Sequence, residues 1–203
     1  MMRVRAKILI GIITAVLSMS TDATLVTVTN ATVTEKQRVN SVRGACGNFY
    51  VGGFKNASIE WMDRSFFVFK LPDMTGRTLV SATLKTYLIS RSKTAPDVDL
   101  YHVQDLNKES LETADYNAGT ATLTIASFVT SSSLLKQYYT ADVLNDVLSD
   151  YAKDPSDAQY ASFRLQLSNE TLQGVTNRYY FKTGSSAVAG VTRTELILTF
   201  ETP

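Results

Sequence analysis

The sequence predicts an all-β protein, an antiparallel β-sandwich of jelly-roll type carrying one short amphipathic helix. Three observations predict it. From Thr24 onward, apolar and polar residues alternate in segment after segment; the stretches between are rich in Ser, Thr, Asn and Gly; and a single stretch follows a helical period. The chain has 203 residues, 44% hydrophobic and 19% charged, which suits one folded domain with a sizeable core.

The first strand lies in "TLVTVTNATVT", where β-branched residues alternate, Val26 and Val28 on one side and Leu25 and Thr27 on the other. In "RSFFVFKL", Phe66, Val68 and Lys70 share one face and Phe67, Phe69 and Leu71 the other. Both faces are apolar, as in a strand central to a sandwich. "PDMTG", Pro72 to Gly76, breaks the run with a fixed-φ residue and a permissive one. Alternation resumes in "TLVSATLKTYLIS", with Val80, Ala82, Leu84 and Leu88 on the expected buried face, and in "DVDLYHV", with Val98, Leu100 and His102 inward. "TADVLNDVLSDYAKD" differs: Val143, Leu144, Val147, Leu148 and Tyr151 recur at steps of three and four, predicting a helix with Thr140 as N-cap and Asp142 in its first turn, unable to run far past Pro155. "SFRLQL", "NRYYFKTG" and "RTELILTFE" return to strand alternation.

The N-terminus gives an address. Arg3, Arg5 and Lys7 precede the apolar run Ile8 to Leu17, then small residues follow, the grammar of a signal peptide over residues 1–21 that leaves a single domain over 22–203. The run is too short for a spanning helix, so no membrane association is expected after cleavage. No acidic residue precedes Asp22, so removal of those three bases turns the net charge from +1 to about −2. Without clustered bases, nucleic acid is not an expected partner. The only cysteine, Cys46 in "RGACGN", forbids an internal disulfide; it is either a buried thiol or the site of an intermolecular bridge. Sequons at Asn30, Asn56 and Asn169 are acceptors for N-glycosylation in a host that has the machinery.

An ordered set of segments, "NFYVGG", "RSFFVFKLPDMTG", "VSATLKTYL", "DVDLYHV", "YTADVLNDVL", "ASFRLQL" and "TELILTF", resembles the DNRLRE domain, a family that includes carbohydrate-binding module family 96. The resemblance spans roughly Leu25 to Phe200. It implies a secreted β-sandwich, free-standing or appended to polysaccharide-degrading enzymes, with acidic polysaccharides such as alginate bound by some members. Arg64 matches the family's arginine at the head of the aromatic strand, and its position suits a fold-holding ion pair better than a ligand contact. No ligand residue transfers position by position.

Catalytic chemistry finds little support. His102 is the sole histidine, and "GSSAVAG" is not a nucleophile elbow. One His and one Cys do not make a zinc site. "VGGF" and "RGACG" lack the lysine and helix of a phosphate loop. Asp97 with Asp99, and Glu109 with Glu112, read as surface carboxylates; no cofactor is expected, since a structural Ca2+ between Asp97 and Asp99, though conceivable, lacks a full oxygen-ligand loop. The chain is expected not to be an enzyme, a Tyr- and Arg-based lyase being the disfavoured third reading.

Saccharide binding needs aromatic faces for stacking and bases or amides for hydroxyls and carboxylates. Two groups supply them: Tyr50, Lys55 and Trp61, with Arg64 nearby, and Arg178, Tyr180 and Lys182, which alternation places on one face of "NRYYFK". The leading expectation is therefore a secreted, noncatalytic domain whose partner is an extracellular, acidic polysaccharide. The alternative is a matrix or fibre subunit that self-associates through strand edges, with Leu25 to Thr34 the pairing strand and Cys46 the cross-link.

Overall fold

In the computed structural model, which describes residues 23–28, 32–37, 42–44, 48–55, 60–92, 94–104, 106, 113–117, 120–153, 159–171, 176–182 and 194–201, the chain is almost wholly antiparallel β-sheet. The strands are β1 (Ala23–Val28), β2 (Thr32–Gln37), β3 (Val42–Gly44), β4 (Asn48–Lys55), β5 (Glu60–Lys70), β6 (Thr78–Arg91), β7 (Val98–Val103), β8 (Ala121–Val129), β9 (Gln137–Asp142), β10 (Tyr160–Leu167), β11 (Asn177–Lys182) and β12 (Glu195–Glu201). One helix, α1 (Leu144–Tyr151), and a 3-10 turn, Thr113–Tyr116, complete the described elements. The strand order is β1-β12-β6-β11-β4-β5-β10-β7-β8, with β2 on β5, β3 on β2 and β9 on β6. The all-β, sandwich-like expectation holds. The ladders run through one sheet that curls around its own core.

β5 is central, as its two apolar faces require. It pairs with β10 on Ser65–Lys70, with β2 on Asp63–Val68 and with β4 on Glu60–Asp63. Phe67, Phe69 and Leu71 enter the main core with Phe49, Leu84, Leu100, Phe163, Leu198 and Phe200. Phe66 and Val68 pack outside it with Val103, Leu106 and Tyr160 in a smaller cluster. Each such side chain contributes about 1.5–3 kcal/mol relative to exposure, so losing a face of β5 would unfold the domain. The break at Pro72 to Gly76 is a turn: Asp73 Oδ1 accepts from Thr75 N at 2.8 Å, and Gly76 takes φ +69°, a conformation open to glycine.

Three expectations are corrected. Val80 is 37% exposed and Leu79 is buried, because a bulge on β6 against β12 makes Thr199 pair with Ser81 but Phe200 with Leu79. The extra residue flips the inward face by one position. Thr140 does not cap the helix; it lies within β9, and Asp142 Oδ1 accepts from Leu144 N at 3.0 Å ahead of α1, with Asp146 the acid of the first turn. Leu25 to Thr34 is not one strand: β1 pairs with β12, whereas β2 pairs with β5 and β3. The predicted signal peptide, Cys46, Asn30, Asn56, Glu109 and Glu112 lie outside the described residues. Among the described residues no helix is long and apolar enough to cross a membrane.

Candidate functional site

The two aromatic and basic groups, far apart in sequence, meet across β11, β4 and β5. β11 alternates buried and half-buried residues, so Arg178, Tyr180 and Lys182 share its outward side. Antiparallel pairing then sets Tyr180 opposite Tyr50, and their rings meet edge to face with centroids 4.9 Å apart. Arg178 stands opposite Gly52, itself opposite Asp63. With no side chain at Gly52, the Arg178 guanidinium spans β4, lying 3.9 Å from the Trp61 ring centroid and 4.9 Å from that of Tyr50. Its Nη2 donates to Asp63 Oδ2 at 2.6 Å, and that carboxylate is fully buried. Gly52 is forced twice over: its φ is +128°, and a Cβ there would sit 1.9 Å from the Asn177 carbonyl oxygen.

The result is a half-buried patch of Tyr50, Trp61 and Tyr180 knit by one arginine. Phe54 stacks behind Trp61 at 6.1 Å. Arg178 is chiefly committed to Asp63 and the two rings, so Tyr180, Tyr50 and the free rim of Trp61 are the surfaces the patch offers outward. Lys182 ends β11 and Lys55 ends β4, at opposite ends of the β4–β11 ladder. Asn169 is exposed, and its Oδ1 accepts from Thr171 N at 2.8 Å.

Arg64 makes the fold-holding pair its position suggested. Its Nε and Nη2 donate to the two carboxylate oxygens of Glu170 at 2.8 and 2.6 Å, and Nη1 donates to the Tyr116 carbonyl oxygen at 3.1 Å and Asn117 Oδ1 at 3.0 Å. Burial opposes its charge, but the Glu170 carboxylate outweighs burial and holds Arg64 above its ordinary value. Arg164, in contrast, is buried at 8% exposure with its guanidinium over the rings of Tyr101 and Phe66. Burial, then the neighbouring Arg64 charge, hold it below its ordinary value. Alternation in "SFRLQL" places Arg164 on the side away from the core and gives no sign that this side is covered as well; Leu106, whose carbonyl accepts from Ser162 Oγ at 2.8 Å, covers part of it.

His102 is buried, its Nε2 2.9 Å from Asp150 Oδ2 and its Nδ1 3.6 Å from Asp146 Oδ1. Lys153 Nζ closes the same network on Asp150 and on the Gln104 carbonyl. No hydroxyl is bonded to the imidazole among the described residues, and its contacts tie α1 to β7. Asp99 and Asp97 hold the β8 end of the sheet: Asp99 Oδ1 accepts from Ser127 N at 2.8 Å, where φ is 52°, and Asp97 Oδ1 from Ser131 N at 3.3 Å. Among the described residues no group of three or more His, Cys, Asp or Glu converges as a metal site. A cavity of about 330 Å3 opens at the head of α1, lined by Leu123, Thr124, Asp142 and Asp146, with Thr124 Oγ1 donating to Asp146 at 2.8 Å.

Neither family models nor curated proteins give a match to this chain.

Proposed function

We propose that the protein is a secreted, noncatalytic carbohydrate-binding domain that recognises an extracellular, acidic polysaccharide through the Tyr50, Trp61, Arg178 and Tyr180 patch. The observation that carries the reading is the convergence of three half-buried aromatic rings and a guanidinium on one outward surface. Rings of this kind stack on sugar C–H faces, while Lys182, on the same side of β11 as Tyr180, supplies a cationic donor for hydroxyls or carboxylates. The resemblance to the DNRLRE domain supports the same reading. Arg178 serves it by positioning the rings, since its charge is spent largely on Asp63.

The test is retardation of the purified protein in native gels cast with alginate, pectin, β-glucan or a soluble chitin derivative, with a Tyr180→Ala variant alongside. Tyr180 is half-buried and outside the ion pair, so its loss leaves the fold in place. Retardation by one polymer that the variant loses is the expected outcome; equal mobility of both proteins in every gel sinks the proposal. A second reading, a self-associating matrix subunit, draws on β1: it ends the strand order and pairs only with β12 among the described residues. Concentration-dependent assembly in size-exclusion chromatography, without polymer binding, would favour it.

A further inference from the structure

The loop that joins β8 to β9 exposes two leucines side by side. Leu134 is 68% and Leu135 42% exposed, whereas the turn at Pro72–Gly76 offers Asp73, Thr75 and Gly76 to solvent. A lone exposed leucine is ordinary; two adjacent ones on a fixed tip are a built feature. The tip is fixed from within, for Thr130 N donates to Ser133 Oγ at 2.9 Å, Ser132 N to Thr130 Oγ1 at 3.2 Å and Ser133 N to the Thr130 carbonyl at 3.1 Å. Neighbouring strands clamp it as well. Arg91 Nε donates to the Ser131 carbonyl at 2.6 Å, the Tyr139 hydroxyl to the Leu134 carbonyl at 2.8 Å and Lys136 N to the Leu88 carbonyl at 2.8 Å. Lys136 takes φ 60°, a strained conformation for a residue with a side chain, and such clamping is what maintains it.

Area, backbone and charge choose the occupant. Two partly exposed leucines present far less surface than the roughly 800 Å2 per side of a stable protein interface, whereas a bilayer takes up single side chains in proportion to their apolar area. The loop also satisfies most of its backbone polar groups internally, as water-poor surroundings require. Asp97, which accepts from Ser131 N at 3.3 Å, is balanced by Arg91 on the carbonyl of the same residue. Lys136 is then the loop's uncompensated charge: it follows the leucines directly, is exposed and makes no ion pair among the described residues. A cation there complements an anionic headgroup. We propose that the loop between β8 and β9 is a peripheral membrane contact, with Leu134 and Leu135 inserting at the headgroup level of a bilayer and Lys136 lying against an anionic headgroup. The contact revises the expectation of no membrane association, which rested on the lack of a spanning helix alone. It shares no residue with the Tyr180 patch and does not depend on polymer binding there.

The experiment is co-sedimentation of the exported protein with vesicles of phosphatidylcholine, alone and mixed equally with phosphatidylglycerol. It compares the wild type, Lys136→Gln, Leu123→Ser and the double variant Leu134→Ser, Leu135→Ser. The wild type is expected to sediment saturably with the mixed vesicles and less with the neutral ones. The double variant changes two exposed side chains, so it is expected to melt with the wild type and to bind at least about tenfold more weakly. Lys136→Gln should bind the mixed vesicles roughly fivefold more weakly and the neutral ones equally well. Leu123→Ser removes an exposed leucine of β8 outside the loop and should bind as the wild type does. Failure of the wild type to sediment with either vesicle overturns the proposal, as does a double variant that binds undiminished or a Leu123→Ser protein that loses as much. Undiminished binding by Lys136→Gln overturns the headgroup contact. A double variant that melts well below the wild type marks the leucines as packing residues and overturns the proposal too. A dimer in size-exclusion chromatography that the double variant abolishes, with no vesicle binding, gives the tip to a second copy instead.

Discussion

Removing the Asp63–Arg178 pair whole should cost much less than the sum of cutting it from each side. Two unit charges about 4 Å apart attract by roughly 4 kcal/mol at an effective dielectric near 20. Taking both from water offsets most of that, so the intact pair contributes little net stability. Asp63 is fully buried, however, and the side chain of Arg178 only 17% exposed. Arg178→Met removes the guanidinium bonded to a fully buried carboxylate, a loss that costs about 3–5 kcal/mol in buried pairs; the exposed part of Arg178 argues for the lower end, and the lost stacking on Trp61 adds about 1 kcal/mol. Asp63→Asn should cost about 2–3 kcal/mol. The double variant should cost about 3 kcal/mol rather than the sum, a coupling of roughly 3–4 kcal/mol. Urea unfolding of the four proteins, with the slope compared across them, measures each term. A cost below about 1 kcal/mol for Arg178→Met, or costs that simply add, would refute the view of Arg178 as the clamp of the aromatic patch.

The bulge on β6 predicts opposite tolerance at adjacent positions: Leu79→Ala should cost about 2–4 kcal/mol and Val80→Ala less than about 1 kcal/mol in urea unfolding, and equal costs would remove the bulge. Burial pushes the phenols of Tyr116 and Tyr179 up to about 12 and that of Tyr151 higher than its ordinary value. A raised folded-state value contributes stability that is fully present below the unfolded value near 10 and is lost as pH climbs from about 10 to 12. Phenolate absorbance should therefore show some of the ten tyrosines silent until the protein opens, and all ten ionising together near pH 10 would contradict their burial.

Much of the sheet was legible because its signal is local. The alternation of β5, β11 and β12 marks inward and outward residues directly, and the three- and four-residue steps of Val143 to Tyr151 mark α1. Val80 defied the pattern because a bulge is set by the partner strand, not by the sequence around it. Likewise, nothing local joins the nominated site residues: Trp61 and Arg178 belong to one patch only because β11 pairs with β4 and β4 with β5, a long-range fact. Arg164 escaped notice for a third reason. A polar residue opposite a core face reads as solvated, and nothing local reveals that Phe66, Tyr101 and Leu106 close over that side as well. A charged residue flanked in register by two aromatic strands is the signal that would have found it, and it requires the register.

The place of β1 has a kinetic consequence. Its strand closes on β12, Ala23 against Glu201, so the first and last described strands are neighbours. Such a ladder forms only after nearly the whole chain has been drawn together, and loop-closure entropy must be met before any of its hydrogen bonds form. Folding is therefore expected on the millisecond-to-second scale typical of sheets joined by distant segments. Until β1 docks, β12 stands as a bare strand edge of Leu196, Leu198 and Phe200, and that interval is when this chain is most exposed to pairing with another copy of itself.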